Sequence, residues 1–573
     1  MDRIEEGKKS RISDLKRSST PNTELLLKGR QSLERIKSVK KVGEWNWRFY
    51  ATGLALVIIN LVAAWDATAL PIALPSIATA LKGSAVDAFW LGIASLVAAT
   101  IFIPLYSTLS NIFGRKAMLL IASAFFTLGS FIAAVGGNFS ALHLGRSLQG
   151  IGAGGIYVLS NIVVADLVSE VDRKQWSVIL GATWVIGVIS GPIIGGVLVQ
   201  NGQWRWIFWL PLPFCGLAFI ILPIFSQLKE RSTSPILPML REFDWLGFLL
   251  FAASIVSILL GVTWGGVTHS WSNVKSFLPI QFGLIGFIVF LCWSWFSPLR
   301  PTVNVAPFAG LTSISTYFST FVLGIVTFAT LYFLPIYFQA HDLDISLTEV
   351  GIWLFPWTVT LAVFALLTYL LIDRWGHWRP AIWTGWLFLM LGVALMTLFS
   401  RDSTNATWIG IAILGGIGAG LLYTSLAAAA DAASTSRQEN VDKTAAVTNI
   451  IFFRTLGQTL GVVISCAIFQ NTFHNQLVQK PLLRRVALVD ARNAVALIST
   501  TRSMPADAGE FALRSELQDA FIASLKPIWV VMAALAGAAF VVSLLMRSTS
   551  RRQGVPQQWP RPRRTEIRSL EVV

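Results

Sequence analysis

Three ionisable side chains interrupt long apolar runs of this 573-residue sequence: Asp66, Arg146 and Arg454. If these runs cross a bilayer, each charge at its centre costs about 2.5–3.5 kcal/mol, so such residues usually face a cavity or one another. A carboxyl group in a cavity can release and bind a proton when water reaches it. Asp66 is therefore the first candidate for proton exchange, and a purely structural hydrogen bond is the alternative.

Asp66 and Arg146 can meet if their two runs cross the membrane in opposite directions. Asp66 lies about ten residues from the outer end of its run and Arg146 about five, which places both in the outer half. This predicts a proton-sensitive interaction between them, direct or through water. The alternative is that Arg146 extends to the interface or binds backbone carbonyls. Arg454 has two possible partners, an anionic substrate and a structural group.

Transmembrane helices must position these residues. Hydrophobic residues make up 54% of the chain and charged residues 13%, about half the charged fraction of a soluble domain. Because a helix needs roughly 20 apolar residues to cross a bilayer, we predict an all-α polytopic membrane protein with about fourteen spans. They fall near residues 49–76, 88–107, 118–136, 141–166, 176–200, 205–226, 243–264, 278–297, 314–339, 347–372, 380–399, 407–429, 444–470 and 526–547.

The distribution of charge predicts the orientation. Residues 1–47 are polar and contain no signal peptide, which favours a cytoplasmic N-terminus. The short cytoplasmic loops then carry most of the loop Lys and Arg residues, as the positive-inside rule requires. The net charge of +15 fits basic tails against anionic lipid, so nucleic-acid binding is not expected. In this orientation the sequon at 405–407 makes Asn405 a predicted glycosylation site on the non-cytoplasmic side.

Two glycine-rich stretches repeat in distant halves: residues 150–157 read GIGAGGIY and residues 416–423 read GIGAGLLY. Either they only let helices approach closely, or they mark parallel repeats with a substrate site between the halves. The second interpretation predicts two six-helix bundles, at 48–226 and 314–547, joined by a linker with two inserted helices at 227–313. The second bundle includes a long non-cytoplasmic loop at 471–525. Basic cytoplasmic tails lie at 1–47 and 548–573.

The sequence lacks the signatures of several classes of protein. The sequence has no phosphate-binding loop of the Gly-x-x-x-x-Gly-Lys-Ser/Thr type, so nothing indicates ATP hydrolysis. The five histidines have no metal-binding spacing, and three cysteines are too sparse for a thiolate site. We therefore expect that the protein is not an enzyme and that it binds no metal and no cofactor. A proton gradient is the expected energy source.

Four motifs, in order along the chain, resemble the fourteen-helix drug:proton antiporter branch of the major facilitator superfamily, and its fungal members most. They are WDATALPIALP at 65–75, STLSNIFGRK at 107–116, LGRSLQGIGAG at 144–154 and GVISGPIIGG at 187–196. The resemblance implies the major facilitator fold, with two six-helix bundles and two inserted helices. It also implies that Asp66 and Arg146 take part in proton coupling.

The second motif resembles the family's cytoplasmic gate loop, formed here by Asn111, Gly114, Arg115 and Lys116. Asn111 stands where the family has an aspartate. An asparagine makes only neutral hydrogen bonds, so we expect the charge contact at this gate to be weaker or shared differently.

The fourth motif resembles the family's antiporter motif, and the export direction rests on it. Gly187, Gly191 and Gly195 recur every fourth residue and form a smooth helix face, and Gly196 ends the motif. Pro192 removes a backbone donor and favours a bend.

The resemblance places a substrate cavity between the bundles, with five candidate polar lining residues: Thr68, Gln149, Gln339, Arg454 and Gln458. It implies proton-coupled efflux of small organic molecules, such as drugs, toxins or secondary metabolites, by alternating access. The alternatives are a vacuolar basic amino acid transporter, a siderophore exporter, and a membrane sensor that does not transport. The expected partners are the substrate, protons and the bilayer, and the expected state is a monomer. The plasma membrane is the expected location, with the vacuolar membrane as the alternative.

Overall fold

The computed structural model describes residues 47–168, 170–226, 236–266, 269–297, 299, 308, 310–435, 443–480, 482–483, 494–504 and 508–547. Fourteen helices in these residues are long and apolar enough to cross a membrane, as predicted. They are α1 Trp47–Ala80, α2 Ala85–Phe113, α3 Arg115–Val135, α4 Phe139–Leu167, α5 Glu170–Gln200, α6 Trp206–Phe225, α7 Trp245–Trp264, α8 Val274–Phe296, α9 Leu311–His341, α10 Leu347–Trp375, α11 Arg379–Leu398, α12 Asn405–Thr435, α13 Lys443–Gln479 and α14 Ala508–Leu544.

Glycines let the first six helices pack at short distance. α4 packs against both α2 and α3, and α1 packs on α5 and α6. A Cβ atom on Gly154 would collide with the carbonyl of Ala99 on α2, and one on Gly152 with the backbone of Phe126 on α3. Only a residue without a side chain fits at these two contacts of α4.

The second glycine repeat has the same role in the other half. α12 packs against both α10 and α11, while α9 packs on α13 and α14. A Cβ atom on Gly420 would collide with the carbonyl of Leu361 on α10, and one on Gly418 with the carbonyl of Gly385 on α11. Each half therefore packs its fourth helix on its second and third, which gives the repeated sequence a structural basis.

The two inserted helices, α7 and α8, pack on each other, and α7 lies against both halves. The ring of Phe251 on α7 lies 5.7 Å from that of Phe452 on α13, measured between centroids. The ring of Phe248 lies 5.9 Å from that of Phe102 on α2. Aromatic contacts thus fix α7 at the junction of α2 and α13.

The segment at 471–525 differs from the predicted long loop. α13 continues to Gln479, a separate helix spans Ala494–Ser503, and α14 begins at Ala508. We call Ala494–Ser503 the outer helix. It packs against α1 and α2 with Val495 and Ile498 fully buried. Hydropathy failed to predict these helical turns because they mix polar and apolar residues and are buried by other helices, not by lipid.

The outer ends of the two halves, on the side predicted to be non-cytoplasmic, are closed against each other. Oγ1 of Thr348 on α10 donates a 2.5 Å hydrogen bond to Oε1 of Gln200 on α5. The outer helix lies at the same end, where Arg502 donates to the carbonyl of Ile345 between α9 and α10. The structure is therefore a conformation closed to the outside.

Candidate functional site

A buried ion pair lies in the outer half of the first bundle. Nη1 of Arg146 on α4 lies 2.5 Å from Oδ1 of Asp66 on α1. Only 2% of the Arg146 side chain and 4% of the Asp66 side chain are exposed. Two charges that lose their hydration together are stable only when their remaining donors and acceptors are also satisfied.

Neighbouring groups satisfy the rest of the pair. Nε of Arg146 donates to the carbonyl of Leu91 on α2, and Nη1 also donates to Oε1 of Gln149, both at 2.8 Å. Nε2 of Gln149 donates to Oδ1 of Asp66 at 3.1 Å and to the hydroxyl of Ser130 on α3 at 2.8 Å. We call these five residues the ion-pair cluster. Because α1 to α4 all contribute to it, a change in its charge acts on the packing of the whole first bundle.

The second bundle covers the ion-pair cluster. The hydroxyl of Tyr332 on α9 lies against Gly92 on α2, next to the carbonyl of Leu91 that binds Arg146. Phe333 on α9 stacks on Phe89 of α2 with centroids 5.3 Å apart. Separation of α9 from α2 would therefore bring solvent to Arg146. Sequence reasoning missed this cover because tyrosines and glycines are ordinary constituents of membrane helices.

A cavity of about 780 Å³, including its opening, lies between the two halves. It is lined by fifteen residues of α4, α5, α9, α10, α12 and α13. Five of the lining residues are aromatic: Tyr157, Trp184, Phe328, Trp357 and Tyr423. Arg454 is the single charged residue among the fifteen. The described part of the chain contains no group of three or more His, Cys, Asp and Glu side chains that could hold a metal ion.

Arg454 lies outside the ion-pair cluster, on the cavity wall. Cζ of Arg454 lies 4.9 Å from the ring centroid of Tyr423 on α12, within range of a cation–π interaction. Gln458 lies one turn further along α13 on the same wall. Tyr157, another residue of the wall, lies on α4, the helix that carries Arg146 and Gln149. The cavity and the cluster therefore share α4.

Three of the five residues expected on the cavity wall lie elsewhere. The hydroxyl of Thr68 is buried and donates to the carbonyls of Ala64 and Gly187, at 2.8 and 3.1 Å. Gln149 belongs to the ion-pair cluster. Gln339 is buried near the outer end of α9, where its amide nitrogen has no hydrogen-bond partner among the described residues. Arg454 and Gln458 do line the cavity.

Three glycines of the fourth motif join α5 to α1. A Cβ atom on Gly187, Gly191 or Gly195 would collide with an atom of α1. For Gly195 that atom is the carbonyl oxygen of Ala69, which cannot move without moving the α1 backbone. This face of α5 is therefore closed to any side chain.

The same motif also joins α5 to the second bundle. A Cβ atom on Gly196 would collide with the carbonyl of Leu347 on α10, and one on Gly351 with the backbone of Pro192. Pro192 lies inside the helix and does not end it. The motif thus lies at the junction of α1, α5 and α10, where a change in the angle between the bundles must be accommodated.

Gly195→Ala should destabilise the protein by about 1–3 kcal/mol and slow transport, because the new methyl group overpacks the contact between α5 and α1. The matched control is Gly181→Ala on the same helix, where a Cβ atom meets open space. Thermal melting in detergent and transport in vesicles would measure both effects. Equal stability and equal transport in the two variants would contradict this account.

The cytoplasmic loop motif holds four helices of the first bundle together. Gly114, with φ of +89°, forms the turn between α2 and α3 in a backbone region that favours glycine. Nε of Arg115 lies 3.0 Å from Oδ2 of Asp166 at the end of α4. Nζ of Lys116 donates a 2.6 Å hydrogen bond to the carbonyl of Pro223 on α6. Arg115 therefore supplies the charge contact of this loop.

Asn111 contributes a neutral contact within α2. Its amide nitrogen donates to the carbonyl of Ser107 at 3.3 Å. The hydroxyl of Ser107 lies 2.8 Å from that of Thr448 on α13, which links the inner ends of the two bundles. The contact between bundles at this point is thus a pair of hydroxyl groups and carries no charge.

Asn405 is the first residue of α12 and is exposed. Its Oδ1 accepts a 3.2 Å hydrogen bond from Nε1 of Trp408. The position is accessible to a glycan, and its glycosylation remains a prediction.

The fold and the site define a multi-pass membrane protein with a cavity between its two halves. Residues 56–462 match the Major Facilitator Superfamily. The chain is similar to "MFS transporter L2" of Phoma sp., with 38% identity over 500 residues that cover 87% of this chain and 82% of that protein. It is also similar to "Efflux pump FUS6" of Gibberella moniliformis, with 31% identity over 523 residues that cover 88% and 89% of the two chains.

A solved structure shares the fold. A bacterial homologue of the human lysosomal transporter Spinster, in its inward-facing and unoccupied conformation, superposes with a TM-score of 0.55 at 16% identity, over 88% of this chain and 98% of its own. The chain belongs to the Major Facilitator Superfamily, and its fold is two six-helix bundles with two inserted helices.

Proposed function

We propose that this protein exports small organic molecules in exchange for protons by alternating access. The observation that carries the proposal is the Asp66–Arg146 ion pair, buried in the first bundle and covered by the second. In the conformation closed to the outside, Arg146 holds the carboxylate. When α9 leaves α2, water reaches the cluster, Asp66 takes up a proton, and the pair weakens. The reverse movement would deliver that proton to the cytoplasmic side.

The names of the similar fungal proteins support the outward direction, since one of them is an efflux pump. In this proposal the proton gradient supplies the energy without a cofactor, and the protein acts as a monomer. We place the protein in the plasma membrane, where export removes a compound from the cell.

The charge of the cavity disfavours one alternative. A transporter of basic amino acids needs acidic groups near its substrate, whereas the fifteen lining residues include Arg454 and no carboxylate. A cationic substrate would lie beside a like charge in a medium of low dielectric constant, which is unfavourable.

The test is expression in yeast cells that lack their own drug pumps, followed by measurement of dye accumulation. A panel of anionic, neutral and cationic fluorescent dyes is used. We expect at least one dye to accumulate less than in cells with an empty vector, and a protonophore to abolish the difference. If the protein is located at the plasma membrane and every dye accumulates equally in these cells and in cells with the empty vector, a sensor that does not transport would be favoured.

A further inference from the structure

The cavity has an unusual distribution of polarity for a site between two bundles. Arg454, Thr455 and Gln458 form a short polar strip on α13. Trp184 on α5 and Trp357 on α10 belong to the largely apolar remainder of the wall. The site therefore offers one cationic strip and a broad aromatic surface.

Arg454 has no anionic partner within the described residues. Its recorded contact is the cation–π interaction with Tyr423. Arg146, the other arginine deep in the membrane, has a carboxylate, an amide oxygen and a backbone carbonyl around it. A guanidinium in the membrane normally has an anion or several acceptors, so Arg454 is suited to bind an anion that enters the cavity.

Gln458 adds a second donor on the same helix face. It follows Arg454 by four residues, so the two side chains lie one turn apart on α13. The hydroxyl of Thr455 already donates to the carbonyl of Ile451, which leaves the guanidinium and the amide as the donors of this polar strip. A guanidinium fork matches the two oxygens of a carboxylate, and the amide can donate to one of them.

We propose that the substrates of this transporter are organic anions with a flat apolar body, whose carboxylate or equally acidic group binds Arg454 and Gln458. The apolar body lies against Trp184 and Trp357. The inference rests on the proposed transport function for its physiological meaning, but the binding it describes is measured without transport. Neutralisation of Arg454 by the substrate also lowers the cost of moving this charge through a rearranging membrane cavity.

The test compares two probes that share one apolar body and differ in the head group: 1-pyrenebutyrate, a carboxylate, and its primary amide, which is neutral. Binding to the purified full chain in lipid nanodiscs is measured by calorimetry at neutral pH. We expect the carboxylate to bind about 10- to 100-fold more tightly than the amide, the range of a charge-assisted hydrogen bond. Arg454→Gln should abolish this preference and leave the affinity for the amide unchanged. Arg454→Lys should retain part of it.

The control is Arg241→Gln, which changes an exposed arginine outside the cavity and should keep the wild-type preference. Melting temperatures of all variants show whether Arg454→Gln remains folded. Equal affinity of the wild type for both probes, failure to bind either, or a preference that survives Arg454→Gln would overturn the proposal. In that case, export of neutral dyes in the cell assay would still support the proposed transport function. Selective binding without any proton-driven export would support the anion site and contradict the proposed function.

Discussion

Replacement of Asp66 by asparagine is expected to abolish transport driven by a pH gradient. Asparagine keeps the shape of the side chain, and its Oδ1 can still accept the hydrogen bond of Arg146, but it cannot bind or release a proton. The measurement is substrate flux in proteoliposomes with an imposed pH gradient. We expect the flux through Asp66→Asn to fall to that of empty vesicles and to lose its dependence on pH.

Two controls give this result its meaning. Asp344→Asn removes a carboxylate that is 84% exposed and pairs with Arg514 at the surface, and it should transport like the wild type. Binding of a cavity ligand to Asp66→Asn should persist, because Asp66 does not line the cavity. Full pH-driven flux through Asp66→Asn would eliminate this carboxyl group as the proton carrier.

Replacement of Arg146 by methionine is expected to destabilise the protein by about 3–5 kcal/mol, because it leaves the carboxylate of Asp66 buried without its cation. It also removes the donors to Leu91 and Gln149. Thermal melting in detergent would measure the loss. The double variant Asp66→Asn/Arg146→Met carries no buried charge in the cluster and should recover most of the stability.

The Asp344–Arg514 pair, whose aspartate is 84% exposed and whose arginine is 13% exposed, provides the comparison. Arg514→Met breaks the 2.7 Å contact with Asp344, and a surface ion pair contributes less than about 1 kcal/mol. If Arg146→Met were as mild as Arg514→Met, or if the double variant were no more stable than Arg146→Met, the cluster would not stabilise the first bundle in the way its contacts indicate.

The fourteen spans could be predicted because lipid imposes a length and an apolar composition on every helix that crosses it. The helical turns within 471–525 could not. Val495 and Ile498 are buried by α1 and α2, and such tertiary contacts leave no periodic signal in so short a segment. The last turns of α13 and the first turns of α14 were missed as well, since both helices extend beyond their apolar runs.

The residues of the candidate site also fall into those that could be predicted from the sequence and those that could not. Asp66 and Arg146 could be paired from sequence because each charge in the membrane requires a partner. Gln149 was expected in the cavity, but it lies in the ion-pair cluster, because neutral polar residues are equally suited to either place. No sequence pattern predicted the roles of Tyr332 and Gly92, since these depend on a contact between bundles that are distant in sequence.

The outer helix has a practical consequence. Its residues come from the second half of the chain, yet it packs on α1 and α2 of the first half. Opening toward the outside has to detach it, and in the predicted orientation it faces the external medium. A nanobody that fastens Ala494–Ser503 to α1 would lock the transporter shut without entering the cell. This helix is therefore a target for inhibitors that the pump itself cannot expel.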